Sequence, residues 1–231
     1  LSSIHQRGMK LILDLVVNHT SDEHPWFIES KSSKTNAKRD WYIWADPKPD
    51  GSEPNNWESI FNGSTWEFDE STKQYYFHLF SKKQPDLNWE NPDVRQAVFE
   101  MMNWWFEKGI DGFRVDAITH IKKNFEAGDL PMPDGKKFAP AFDVDMNQPG
   151  IQEWLQEMKD KSLSRYDIMT VGEANGVTPN DAEEWVGEEK GKFNMIFQFE
   201  HLGLWSTGDT KFDVKSYKQV LNRWQKQLEN V

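Results

Sequence analysis

The sequence predicts an α/β protein: a parallel sheet whose strands alternate with helices, carrying a small β-rich insertion after its first strand. Three observations lead there. Strand-like apolar runs stand at "KLILDLVVNH" (10–19), "IDGFRVDAI" (110–118), "DIMTVGE" (167–173) and "FNMIFQFE" (193–200). The later runs are separated by segments whose apolar residues recur at helical spacing. From residue 21 to about 90 the texture changes, with Pro, Gly, Asn and Ser dense between short aromatic stretches. Either a (β/α)₈ barrel or an open doubly wound sheet produces this alternation.

The elements follow in order. "LSSIHQR" reads as the end of a helix, turned at Gly8 into the first strand. That strand is too continuously apolar for a sheet wetted on one face. No signal peptide or helix cap opens the chain, so it is expected to start inside a domain. Within the insertion, "WYIW", "TWEF" and "YYFHLF" predict short strands, the last two joined by the turn "DESTK". "NPDVRQAVFEMMNWWFEKG" predicts a helix capped by Asn91, with Pro92 at its first position and a stop at Gly109. Its predicted inner face holds Val94, Val98, Met101 and Trp105. A Gly/Pro-rich excursion spans Glu126 to Gln148, and a helix follows with Ile151, Trp154, Leu155 and Met158 in register. "TPNDAEEWVGEE" predicts another, capped by Thr178 with Asp181 three residues on. A last helix, 215–230, aligns Tyr217, Val220, Leu221, Trp224 and Leu228. The expected division is 1–20 and 91–231 for the barrel-like part and 21–90 for the insertion.

Composition bounds the function. The 231 residues are 37% hydrophobic, with a net charge of -11, and their 27 basic residues are scattered. That balance argues against nucleic acid or an anionic membrane as partner. Cysteine is absent, which removes disulfides, thiolate catalysis and cysteine-ligated metals and fits a reducing, cytoplasmic location. No apolar run approaches the length of a membrane span. The 12 Trp and 15 Phe suit both a packed core and flat ligands such as sugar rings.

Polar residues gather where the strands end: Asn18-His19, Arg114 and Asp116, Glu173, and Glu200-His201. In a β/α barrel that end is the catalytic face. A single such carboxylate is equally consistent with a satisfied core group; four strands ending this way make coincidence improbable. No Gly-rich phosphate loop follows any strand, and the histidines are too dispersed for a helical metal site. Asp116 and Glu173 on neighbouring strands suit retaining glycoside hydrolysis, which needs two carboxyl groups roughly 5–5.5 Å apart. Arg114 lies two residues before Asp116, on the same strand face, and would keep it ionised as the nucleophile. Glu173 has no such partner in sequence, so it is expected to act as the general acid.

"DLVVNHT", "QPDLN", "GFRVDAI" and "VGEANG" resemble, in order, four short blocks of the α-amylase superfamily of glycoside hydrolases (family 13). The wider text resembles its oligo-1,6-glucosidase and α-glucosidase branch, over nearly the whole chain. The resemblance implies a partial (β/α)₈ TIM barrel, about strands three to six, with the insertion after strand three. It implies Asp116 as nucleophile, Glu173 as acid/base, Arg114 as the nucleophile's partner and His19 as a sugar ligand. Phe61, Phe80 and Gln84 match pocket positions in this branch, although packing of the small domain explains them equally well. The substrate implied is a small oligosaccharide of maltose or isomaltose type, with no cofactor held by this segment. A calcium-binding loop and a third catalytic carboxylate in an "NHD" block belong to the pattern but not to this stretch. The segment by itself is therefore expected to be inactive.

Linkage preference is expected from Ala117. Members of this branch that favour α-1,6 bonds read like "GFRMDVI", and those that favour α-1,4 bonds like "GFRIDAI"; this chain has "GFRVDAI". Asn175 in "GEANG" also resembles the α-1,4 members. Oligo-1,6-glucosidase and trehalose-6-phosphate hydrolase remain alternatives, the latter needing a basic phosphate pocket that the sequence does not reveal. A non-enzymatic alternative is an ectodomain like the heavy chains of amino-acid transporters, which resemble the superfamily but often lack its catalytic residues.

Overall fold

The computed structural model describes residues 1–205 and 213–229. Its strands are β1 (Ile12–Val16), β2 (Trp44–Ala45), β3 (Trp57–Glu58), β4 (Trp66–Asp69), β5 (Gln74–Phe77), β6 (Gly112–Asp116), β7 (Ala139–Pro140), β8 (Met169–Ala174) and β9 (Met195–Gln198). The α-helices are α1 (Ser2–His5), α2 (Pro25–Ser32), α3 (Pro92–Glu107), α4 (Phe142–Asp145), α5 (Ile151–Lys161), α6 (Ala182–Val186) and α7 (Val214–Leu228). Two compact units result, one from Leu1–Leu15, Phe99–His120 and Pro149–Val231, the other from Val16–Val98 and Ile121–Gln148.

The first unit is built on a sheet of order β1-β6-β8-β9, in which β6, β8 and β9 run parallel. Strand register is fixed where the strands begin. Gly112 takes φ +155°, and a Cβ added there would sit 1.7 Å from the Met169 carbonyl oxygen, so β6 approaches β8 too closely for any side chain. Thr170 and Asn194 tie the starts of β8 and β9 together, the Asn194 Oδ1 accepting from the Thr170 N–H at 2.8 Å. Phe113, Val115, Leu155, Met158, Trp185 and Phe193 are buried beneath these strands and helices. The expected capping box forms, with Thr178 and Asp181 exchanging bonds at a short 3₁₀ turn (Pro179–Asp181) ahead of α6.

Three expectations, for β1, α3 and α7, need correction. The first strand spans five residues rather than ten, and Ile12 and Val16 are 37% and 41% exposed instead of buried. The reason is that β1 has a neighbour on one side only among the described residues. The buried face of α3 is Val94, Val98, Phe99, Met102 and Phe106, while Met101 and Trp105 are half-buried. Spacing of four residues from Val94 carries the stripe to Met102 and Phe106, one position beyond the expected pair. On α7, Val220 and Trp224 are buried but Leu221 and Leu228 are exposed, and residue 230 lies outside the described residues.

The second unit carries a three-stranded antiparallel sheet of order β2-β5-β4 and a short parallel pair, β3 with β7. Its core joins Trp57, Trp66, Phe77, Leu79, Ala141 and Val144. Each buried indole N–H finds an acceptor: Trp57 donates to the Gly128 carbonyl and Trp66 to Asn55 Oδ1, both at 2.8 Å. The compact units thus fall differently from the boundaries expected at residues 20 and 90. The excursion after β6 packs with the insertion because Trp57 pairs with Ala139 and stacks on Phe125 at 5.2 Å. No helix among the described residues is long and apolar enough to cross a membrane.

Gly112→Ala tests the close approach of β6 and β8. The added methyl has to displace a strand backbone, so the variant is expected to lose about 3 kcal/mol or more of stability. A thermal melt at unchanged midpoint would refute it.

Candidate active site

Alternation along β6 decides which side chains meet. Phe113 and Val115 turn into the core, so Arg114 and Asp116 share the opposite side, where they are 28% and 24% exposed. On β8, Val171 stands opposite Arg114 and Gly172 opposite Val115. One step further along both strands, Asp116 and Glu173 stand side by side at the C-terminal end of the sheet. Neighbouring strands lie about 4.8 Å apart, and parallel pairing keeps the two side chains in phase.

One guanidinium joins the carboxylates. Arg114 Nη1 donates to Asp116 Oδ1 and, at 2.8 Å, to Asp14 Oδ1 on β1. Its Nη2 donates to Glu173 Oε2 at 2.8 Å. The Ala117 N–H adds a second bond to that oxygen at 3.0 Å. Ala117 can aim its N–H there because it takes φ +44°, a left-handed conformation that alanine tolerates better than a β-branched residue. Burial works to lower the Arg114 pKa, but the bonds to Asp14 and Asp116 and the Glu173 charge outweigh it and drive the pKa well above the usual arginine value.

Two features escaped the sequence. Glu173 does have a cationic partner, contrary to expectation, since the guanidinium bridges both carboxylates. Asp14 is a third acid on the same arginine, hidden inside an apolar run. Period-two counting back from the strand end was its only signal, because the bond spans 100 residues.

The expected sugar contacts Phe61, Phe80 and Gln84 of the insertion lie in the second unit, and so does His19, expected with the barrel-like part. His19 is 6% exposed, and its Nε2 is 2.9 Å from Gln84 Nε2. The Phe80 ring lies 5.2 Å from the His19 ring and 5.9 Å from that of Phe61, which is 62% exposed. These four residues form one cluster. Asn175 is the first residue past β8 and half-buried. Glu200, grouped with the other strand-end acids by sequence, holds α7 instead: it pairs with Arg223 and accepts from Trp224 Nε1 at 2.9 Å. Among the described residues no group of three or more His, Cys, Asp or Glu is placed to hold a metal ion.

Parallel strands separated by helices, with carboxylates at the C-terminal ends of adjacent strands, are the arrangement found at the active face of a β/α barrel. The chain belongs to the alpha-amylase family, whose catalytic domain matches residues 1–231, and so has a TIM-barrel fold with a parallel sheet and a β-rich region. It is 60% identical over 232 residues to a probable oligo-1,6-glucosidase 3 of Bacillus subtilis (strain 168), covering 100% of this chain and 42% of that protein. It is 54% identical over 234 residues to an oligo-1,6-glucosidase of Parageobacillus thermoglucosidasius, covering 99% of this chain and 42% of the relative. Among solved structures, a trehalose-6-phosphate hydrolase of Bacillus licheniformis superposes with a TM-score of 0.89 at 44% identity, over 98% of this chain and 40% of that one. The chain thus spans less than half the length of these relatives.

Arg114→Lys in the full-length protein is expected to cost about 10²-fold or more in kcat/KM. A single ammonium cannot reproduce the fork that reaches both carboxylates. Asp14→Asn should cost about tenfold or less, because Asp14 is 58% exposed and solvent screens its pull. Equal losses in the two variants would contradict this ranking.

Proposed function

We propose that the protein carrying this chain is a retaining α-glucosidase that releases terminal glucose from short oligosaccharides, and that β1, β6, β8 and β9 are barrel strands three to six. The observation that carries the reading is the side-by-side placement of Asp116 and Glu173 on one guanidinium. A spacing near that of adjacent strands suits a nucleophile and an acid/base roughly 5–5.5 Å apart, the arrangement for retention.

In this mechanism Arg114 holds the Asp116 carboxylate and aims it at the anomeric carbon. Glu173 Oε2 is engaged by Arg114 and the Ala117 N–H, which leaves Oε1 to carry the acidic proton. The proton passes to the glycosidic oxygen as the bond to the leaving sugar breaks and the bond to Asp116 forms. Glu173 then takes a proton from water, whose oxygen displaces Asp116 and restores the α configuration. In this reading His19, Phe80 and Gln84 are sugar-binding residues of the second unit, with Phe61 as an apolar edge.

Asp116→Asn in the full-length protein should reduce turnover by at least about 10³-fold. Glu173→Gln should slow maltose by about 10²-fold or more, and an aryl α-glucoside with a good leaving group much less. Near-normal activity of Asp116→Asn would overturn the nucleophile assignment.

For linkage we infer α-1,4 preference, from Ala117 and Asn175. The small side chain after the nucleophile leaves room for an α-1,4-linked sugar to depart; two more methyl groups would narrow that path. A change of this size in an apolar pocket is worth about 1–2 kcal/mol, roughly ten- to thirtyfold. A second reading, α-1,6 preference, is favoured by the relatives that bear the name oligo-1,6-glucosidase. Maltose and isomaltose compared in the full-length protein and its Ala117→Val variant separate the two. Maltose should be preferred by the parent and isomaltose gain in the variant, with a melt alongside because valine is strained at positive φ. Much faster isomaltose hydrolysis by the parent would establish the second reading.

A further inference from the structure

The second unit buries an ion pair that the proposed chemistry does not use. Lys123 Nζ lies 2.6 Å from Asp86 Oδ2, and the two side chains are 2% and 0% exposed. A dry pair of this kind is a weak source of stability, because the desolvation of both charges offsets their attraction. Apolar side chains of similar volume commonly serve a core as well or better. Stability alone therefore does not account for it, and its other bonds show what it holds.

Lys123 Nζ also donates to Asn18 Oδ1 at 2.9 Å, and Asn18 Nδ2 donates to Asp86 Oδ2 at 3.0 Å. Ammonium, carboxylate and amide thus close a ring. Asp86 Oδ1 accepts from the Leu79 N–H at 2.9 Å, fixing the residue before Phe80. On the main chain, the Leu87 N–H donates to the Asn18 carbonyl at 2.9 Å, and His19 faces Asp86 in an antiparallel bridge. Asn18 Nδ2 reaches to 3.3 Å from His19 Nδ1, while Gln84, two residues before Asp86, meets the other ring nitrogen. Every group that locates the imidazole in this network is fastened to the Lys123–Asp86 pair directly or through one residue.

We propose that Lys123 and Asp86 are positioning residues whose buried pair sets the orientation of His19 and the placement of Phe80 and Gln84. The inference rests on the glucosidase reading in making these three the sugar-binding surface of the second unit. The charge pair is directional where an apolar contact is not: the Lys123 ammonium donates at once to Asp86 Oδ2 and Asn18 Oδ1, which an apolar side chain cannot do.

The test uses the full-length protein with Lys123→Met, Asp86→Leu and the double variant, read by thermal melts, by KM and kcat on maltose, and by the imidazole NMR signals of His19. Each single variant should melt lower, because it leaves one charge buried without its partner. The double variant should regain most of the lost midpoint, yet keep a KM raised about tenfold or more, kcat less affected, and displaced His19 signals. A double variant with wild-type KM and undisturbed His19 signals would overturn the proposal. If the parent has no glucosidase activity, the glucosidase reading fails, and the His19 signals alone decide whether the pair positions the ring.

Discussion

The sheet of the first unit ends in mutual repulsion that Arg114 relieves. Asp14, Asp116 and Glu173 come from three strands and converge on one guanidinium. Two like charges about 4 Å apart near a protein surface repel by roughly 4 kcal/mol, so three acids placed together need a cation among them. Arginine fits because its planar fork offers separate N–H groups to separate carboxylates, whereas a lysine is a single point. The proposed chemistry inherits the same arrangement. Asp116 is held by one arm, Glu173 by the other, and a main-chain N–H completes the grip on Glu173.

That convergence requires exact strand register, and the backbone supplies it. Gly112 lets β6 close on Met169 as no other residue does, and the Thr170–Asn194 exchange aligns β9 with β8. A one-residue slip between β6 and β8 would turn one carboxylate into the core. The positive φ at Ala117 ends β6 abruptly and swings the next N–H back toward Glu173.

In the second unit, order comes from a few large side chains and one buried ion pair rather than from long strands. Trp57, Trp66 and Phe77 gather Phe125 into their cluster, which explains why the segment after β6 leaves the sheet to join the insertion. Each buried indole spends its N–H on a specific acceptor, so the aromatic cores are oriented as well as packed. The Lys123–Asp86 pair adds direction at the edge where His19 and Gln84 stand.

By itself the sequence determined what depends on local periodicity. Alternation put Arg114 and Asp116 on one side of a strand, the cap and spacing residues marked α3, α5 and the turn into α6, and four short blocks carried the family resemblance. Tertiary structure decided whatever depends on pairing between distant segments. Glu173 shares the Arg114 guanidinium across 59 residues of chain, and Asp14 joins it across 100. Lys123 finds Asn18 across 105, and the excursion 121–148 pairs with β3 through Ala139. Partial exposure of β1 followed from its place in the strand order, not from its composition. Periodicity fixes which way a side chain points, but only strand register and packing fix what it meets.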